Sequence, residues 1–425
     1  MPLFKPLTPL RRSIMLSTWG LFAGLSFVML SGGIFSTLLG VRAELEDLPT
    51  ILSGSLGTSY YAGFLLGSWY TLRALAQVGH IRAYAALAAL TSSAIILAGL
   101  SDQPVLWIAM RLITGFCFAG IYVVAESWLH GLATNTFRGR LLAVYSGLVV
   151  GLYGIGQLLV FSFDAQSITG FAISAVIMSL AVIPVAMSEQ ATTPQAEKIS
   201  PMSMKELART VPTGMGTMVL VGLAHGGMLG LAAIYATREG LSIGRVGVFL
   251  AAIQIGGMVM SWPISAASDQ IDRRVIGVVA CLGTMGSAAL LFIQPVTSWW
   301  TMVTVLAMGG FSAPLYAVAG SYTNDWISEE HLNAVASKLV TLYGFGAMIG
   351  PIIAALFMDA LGTDGFVWSI IVFHFVIVLF LVYRIRAWHA PLMTKSWTEV
   401  SVPARAFFIP ATIVSVGIRR RRNDD

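Results

Sequence analysis

Long apolar runs separated by short polar connections make up most of this chain. They fall near 14–40, 51–72, 81–100, 105–128, 139–162 and 168–187, then 212–236, 244–265, 275–294, 297–322, 333–357 and 365–386. A helix needs about 20 mainly apolar residues to cross the hydrocarbon of a bilayer, and each run has roughly that length. The pattern predicts an all-α integral membrane protein with twelve transmembrane helices. The first run follows Lys5, Arg11 and Arg12, as a secretory leader would, but it outruns a typical leader core and lacks a clear small-residue cleavage site, so it is read as the first span.

The runs also repeat. Residues 115–128 (GFCFAGIYVVAESW) and 309–322 (GGFSAPLYAVAGSY) match at Gly115/Gly309, Ala119/Ala313, Tyr122/Tyr316, Val124/Val318, Ala125/Ala319 and Ser127/Ser321. Chance likeness between apolar helices would not keep order and spacing elsewhere. Yet Gln77-Val78 meets Gln270-Ile271, and the run from Leu152 to Gly156 (LYGIG) meets that from Leu342 to Gly346 (LYGFG). The chain therefore reads as two homologous six-helix bundles, 14–187 and 212–386, an organisation that places a transporter's site at the repeat interface. Between them, 188–211 is a polar linker with Pro194 and Pro201 and a short helix expected near 203–209. Residues 1–13 form an N-terminal tail and 387–425 a basic tail. Ala406–Ile418 within that last tail is too short to span and contains Pro410. It is either a membrane-surface contact or disordered.

Composition agrees. Charged residues are 11% and hydrophobic ones 56%, against about 25% charged in soluble domains, and mean hydropathy is +0.80. With the N-terminus inside, one face carries Lys5, Arg11, Arg12, Arg73, Arg82, Arg138, Arg140, Lys198, Lys205, Arg209, Arg273, Arg274, Lys338 and the C-terminal cluster, the other only Arg42, Arg238 and Arg245. This asymmetry places both termini in the cytoplasm. It also accounts for a pI of 9.3 through anionic lipid headgroups, with no nucleic acid needed. Cys117 and Cys281 are isolated, which excludes a disulfide framework and gives no metal-ligand spacing.

Charges inside spans are few and therefore informative. Arg111 and Glu126 lie on the fourth run, about 22 Å apart along a helix but offset by only about 60°, so they share a face without pairing. Gly115, Phe118 and Tyr122 lie on that face too. Arg111 either faces a bundle interior that supplies an acceptor or snorkels to the outer interface. Glu126 is either a protonatable group, with Arg138 or Arg140 as gate partner, or a fixed interfacial ion pair. Gln157, Gln254, His225 and His374 are the remaining polar groups well inside spans. His225, beside Gly226 and Gly227, lines a cavity or is a hydrogen-bonded core residue. Gly147 and Gly151, and Gly346, Gly350 and Pro351, have the spacing of close helix packing or a hinge.

The run from Ser268 to Arg274 (SDQIDRR) resembles the latter part of the loop signature of the major facilitator superfamily, over a chain that matches the family from about 14 to 386. The first-half loop keeps Gly79 and Arg82 but has Ala76 where the family's acid stands. Arg111-x-x-x-Gly115 is similar to the fourth-span signature of proton-coupled members. The fifth span has Gly156-Gln157 where antiporters carry Gly-Pro, and Gly350-Pro351 falls in the eleventh. The run from Gly79 to Arg82 (GHIR) and that from Ala125 to Trp128 (AESW) look most like the bacterial YcaD-like branch. The resemblance implies two bundles rocking around a midplane cavity, with Asp269, Asp272, Arg273 and Arg274 in a gating loop. The expected function is secondary transport of a small organic solute in a bacterial inner membrane, proton-coupled, in a monomer without cofactor or metal. Arg111, Tyr122, Glu126, His225 and Tyr316 are the candidate binding or coupling residues. Spans one to three and seven to nine hold no interior carboxylate, which favours an anionic or neutral amphiphilic solute. The alternatives are an uncoupled facilitator and a sensor or scaffold with a transporter fold. No nucleophile and base constellation of an enzyme is evident.

Overall fold

The computed structural model describes residues 9–132, 138–188, 202–328 and 331–387. Residues 1–8, the middle of the linker and the tail from 388 lie outside them, as do the side chains of Ala76, His130, Arg138 and Arg140.

The first half comprises α1 (Pro9–Leu45), α2 (Thr50–Val78), α3 (His80–Leu100), α4 (Pro104–Leu132), α5 (Arg138–Leu159) and α6 (Ile168–Leu180), the last continued after a turn at Ala181 by α7 (Val182–Ala186). The linker contributes α8 (Met204–Thr210), started by a capping box between Ser203 and Glu206. The second half is α9 (Pro212–Arg238), α10 (Ile243–Ser268), α11 (Arg273–Leu290), α12 (Trp299–Ser312), α13 (Leu315–Asn324), α14 (Leu332–Leu361) and α15 (Asp364–Ala387). Span ten is broken where span four is not. Pro314 has no N–H to continue the ladder, and its counterpart in the repeat is Gly120.

Eleven of the described helical segments are long and apolar enough to cross a membrane, one fewer than expected. α2 has the length but not the composition. Ser53, Ser55, Thr58, Ser59, Tyr60, Tyr61, Ser68 and Arg73 dilute it. It packs between α4 of its own half and α14 of the other, so Ser53, Ser59, Tyr60, Tyr61 and Ser68 face protein, while Arg73 is exposed.

The duplicated glycines lie where backbones touch. A Cβ on Gly115 would lie 2.0 Å from the Tyr60 carbonyl oxygen, and one on Gly63 would lie 1.9 Å from that of Leu112, fixing the α2–α4 crossing. In the second half Gly309 meets Ile253 at 2.2 Å and Gly256 meets Leu306 at 1.8 Å, fixing α10–α12. The Leu152–Gly156 repeat works the same way. Gly156 would meet Leu30 of α1, and its counterpart Gly346 would meet Val219 of α9 at 2.0 Å. Gly350 meets Leu223 at 2.2 Å. In the absence of a hydrophobic drive inside a bilayer, such close approach supplies the packing that joins helices. Gly147 and Gly151, expected in close packing, face open space, with no atom within 4 Å of an added Cβ. Gly256→Ala is therefore expected to lower the thermal midpoint measurably, since overpacking costs about 1–3 kcal/mol. Gly147→Ala should leave it unchanged or raised by the helix preference of about 0.5–1 kcal/mol. Differential scanning fluorimetry of the two variants compares them directly.

Candidate functional site

The charge pattern distinguishes a basic face, where α2, α4, α7, α10 and α13 end, from a far face, where α1, α3, α5, α9, α11 and α14 end. A cavity lies between the halves, lined by α1, α2, α4 and α5 from one and by α9 and α10 from the other. At 1.5 Å rise per residue, Arg111 is about 10 Å below the far end of α4, and most other lining positions lie at similar depth.

Arg111 is the cation of this lining, which contains no carboxylate. Its guanidinium lies 4.5 Å from the Tyr60 ring centroid and 5.9 Å from that of Phe35. Its protein hydrogen bond, from Nε to the Leu56 carbonyl, is long at 3.5 Å. Among the described residues no acid pairs with it. The interior placement, rather than snorkelling, is what the structure shows for this side chain. Tyr60, Tyr61, Tyr153, Gln157 and Gln254 complete the polar wall. Pro351 of α14 wedges against Gly57 and Gly230, close to the seam between halves.

Below the cavity, toward the basic face, an aromatic layer closes the interior. Tyr60, Phe64, Phe118 and Tyr122 meet through tilted ring contacts in one half, and Tyr316, Tyr343 and His225 through tilted and edge-on contacts in the other. Tyr122 and Tyr316 thus belong to the layer beneath the cavity and do not line it. Tyr122 donates to the Met29 sulfur at 3.3 Å. His225 is also outside the lining, fully buried. Its Nε2 donates to the Ser312 carbonyl at 3.0 Å, Ser312 Oγ meets His374 Nε2 at 2.9 Å, and His374 Nδ1 donates to the Ile370 carbonyl at 2.8 Å. Because carbonyls only accept, His225 Nε2 and His374 Nδ1 each carry a proton. Glu126 is buried, 6% exposed, farther down α4 from Arg111.

At the far face Arg238 clasps Glu44 through Nε and Nη2, both at 2.8 Å, and reaches Thr50 at 3.5 Å. The pair joins α1 of one half to α9 of the other. Nearby, Arg42 is fixed within the first half by Gly99, Asp102 and Glu46.

At the basic face the loop before α11 is an ionic lattice. Arg273, 2% exposed, bonds Asp325 at 2.7 Å and Asp269 at 2.9 Å. Arg274 bonds Asp272 at 2.7 Å and the Arg384 carbonyl at 3.0 Å. Burial works against the Asp272 carboxylate, but the hydrogen bonds and charge of Arg274 outweigh it and lower its pKa below the ordinary value. That contribution is complete at neutral pH and fades as pH falls past 3.8 toward the depressed value. The first-half loop differs. Gly79 takes φ +79° between α2 and α3, Arg82 is exposed, and His80 bonds Ser127 at 3.1 Å.

Sequence reasoning missed Tyr60, Tyr61 and Tyr153 at the cavity, Asp325 in the lattice and Glu44 at the far face. The Tyr60-Tyr61 doublet inside a hydroxyl-rich span was the available signal.

Comparison with known proteins places this arrangement. The profile of the Major Facilitator Superfamily matches residues 20–306 and 255–418. An uncharacterised MFS-type transporter YcaD of Escherichia fergusonii is 28% identical over 345 residues, covering 80% of this chain and 88% of that protein. A relative from Enterobacter sp., also described as an uncharacterised MFS-type transporter, is 27% identical over 352 residues with the same coverage. Among solved structures, a bacterial homologue of the human lysosomal transporter Spinster, inward-facing and occupied, superposes with TM-score 0.69 at 13% identity, over 90% of this chain and 98% of that one. The nucleoside transporter NupG gives 0.68 at 12% identity, over 89% and 99%.

Proposed function

Because the chain belongs to the Major Facilitator Superfamily and is a multi-pass membrane transporter, we propose that it carries a small organic solute through the inter-bundle cavity by alternating access, coupled to a proton. The observation that carries this reading is the cavity itself, formed by both halves and holding in Arg111 a cation without an acidic partner. A desolvated guanidinium attracts an anionic or amphiphilic solute strongly, because its field is little screened there. The low identity to NupG and Spinster homologues transfers a fold and no cargo. The basic face is assigned to the cytoplasm, which puts Glu44 and Arg238 on the outside.

In this reading the Glu44–Arg238 pair holds the outer ends of α1 and α9 together in one state and parts in the other. A bidentate, partly buried pair contributes about 1–2 kcal/mol, between the exposed and buried limits, which shifts a two-state ratio by about 5- to 30-fold. Arg238→Gln with Glu44→Gln should raise the rate at which a membrane-impermeant thiol reagent labels Ser36→Cys from outside by about that factor. An unchanged rate would remove the pair from the gate. Proton coupling is tested by a lumenal pH dye in proteoliposomes given solute. Solute flux without a pH change would leave an uncoupled carrier.

A further inference from the structure

Resting on the transporter reading above, we infer that the cargo is an organic monocarboxylate, its carboxylate forked by Arg111 and its body hydrogen-bonded by the amides of Gln157 and Gln254. The charge argument is arithmetic. The lining offers one guanidinium and no acid, so one negative charge is neutralised on entry and a second would be buried uncompensated. A planar carboxylate matches the guanidinium fork, whereas a phosphate monoester carries close to two charges at neutral pH. A neutral solute would leave the cation desolvated without a counter-charge.

The amide argument is independent of charge. Gln157 is 5% exposed and Gln254 is 8% exposed, both line the cavity, and neither side chain bonds another described residue. The Gln157 side-chain oxygen is buried without a partner. Buried amides of this kind are costly unless something meets them. The Gln157 backbone is held between α10 and α1, since a Cβ on Gly247 would lie 2.3 Å from its backbone carbonyl oxygen and one on Gly33 2.9 Å from its backbone nitrogen. Because Gln157 sits on α5 and Gln254 on α10, a molecule with hydroxyl or amino groups that bonds both ties one half to the other. Leu56, Leu229 and Leu250 flank the same space and accept an apolar portion.

The test uses the full-length protein in nanodiscs and two matched sets of probes. These are phenylacetate, phenylacetamide and phenylmalonate, and gluconate, gluconamide and glucarate, with binding read by equilibrium titration and flux in proteoliposomes. The inference expects a monoanion to bind at least tenfold more tightly than its amide and its dianion, a preference lost in Arg111→Gln. Gln157→Leu and Gln254→Leu should each weaken gluconate binding at least fivefold and leave phenylacetate binding, which offers the amides no hydroxyl, unchanged; Gln157→Leu should also leave the ligand-free thermal midpoint equal or higher, since an unmet buried amide oxygen has been removed. A lower ligand-free midpoint would mark the amides as structural and overturn their role. Equal binding of amide or dianion, or neutral solutes moving while neither monoanion does, would overturn the monocarboxylate assignment and leave the transporter reading intact. Absence of flux for every probe, with none bound, would defeat the assignment and count against transport itself.

Discussion

Arg111→Ala is expected to weaken binding of the transported solute by about 30-fold or more and to abolish counterflow, while the protein still folds. Truncating one partner of a desolvated, hydrogen-bonded charge pair costs about 2–5 kcal/mol, and each 1.4 kcal/mol is tenfold in affinity. The free protein has little to lose. No described acid is left unpaired by the change, and the hydrogen bond to Leu56 is long. Its thermal midpoint should therefore move by only a few degrees, the aromatic contacts to Tyr60 and Phe35 being the main loss. Arg111→Lys keeps the charge but not the planar fork and should fall between. Counterflow and isothermal titration on the three proteins check the order. Equal affinity across them would remove Arg111 from recognition.

The largest effect on stability is expected at the opposite end. In the Arg273–Asp325 pair both side chains are 1% exposed. Removing one partner of a buried pair costs about 3–5 kcal/mol, and loss of Asp325 leaves the buried arginine only its bond to the more exposed Asp269. Asp325→Ala should thus lower the thermal midpoint by roughly 10 °C, at the usual few degrees per kcal/mol. Asp269→Ala should cost less, because that carboxylate is 20% exposed and Asp325 still neutralises the arginine. Scanning fluorimetry in one detergent ranks them. An Asp325 variant as stable as the parent would mean that the lattice does not hold the α11 end of the loop.

Some of this arrangement is legible in one sequence and some is not, for identifiable reasons. Apolar run length predicts the helices well, because a bilayer imposes it. It fails for α2, where Ser53, Tyr60 and Tyr61 line the cavity and lower the apolar content of the span. The repeat is legible through Gly115/Gly309 and Gly156/Gly346 because backbone contact tolerates no Cβ at these four positions. Gly147 and Gly151 have the same spacing without a neighbour, so spacing alone does not identify a crossing. Arg111 stands out as an intramembrane charge, but its surroundings do not. Tyr60, Tyr61 and Tyr153 look like ordinary aromatics in apolar runs until the fold turns them toward one space. Pairings over long separations, 52 residues for Arg273–Asp325 and 194 for Glu44–Arg238, need the tertiary arrangement. His225 was open between cavity and core, and its bond to Ser312 places it in the core network.

The account depends on the two halves moving apart at the outer face around a solute held at Arg111. The direct measurement joins Glu44→Cys and Arg238→Cys with a short bis-maleimide in proteoliposomes and follows uptake of the preferred acid from the probe panel. Uptake should stop in proportion to the crosslinked fraction and persist in either single variant treated alike. Uptake that continues undiminished after complete crosslinking would contradict alternating access through this cavity.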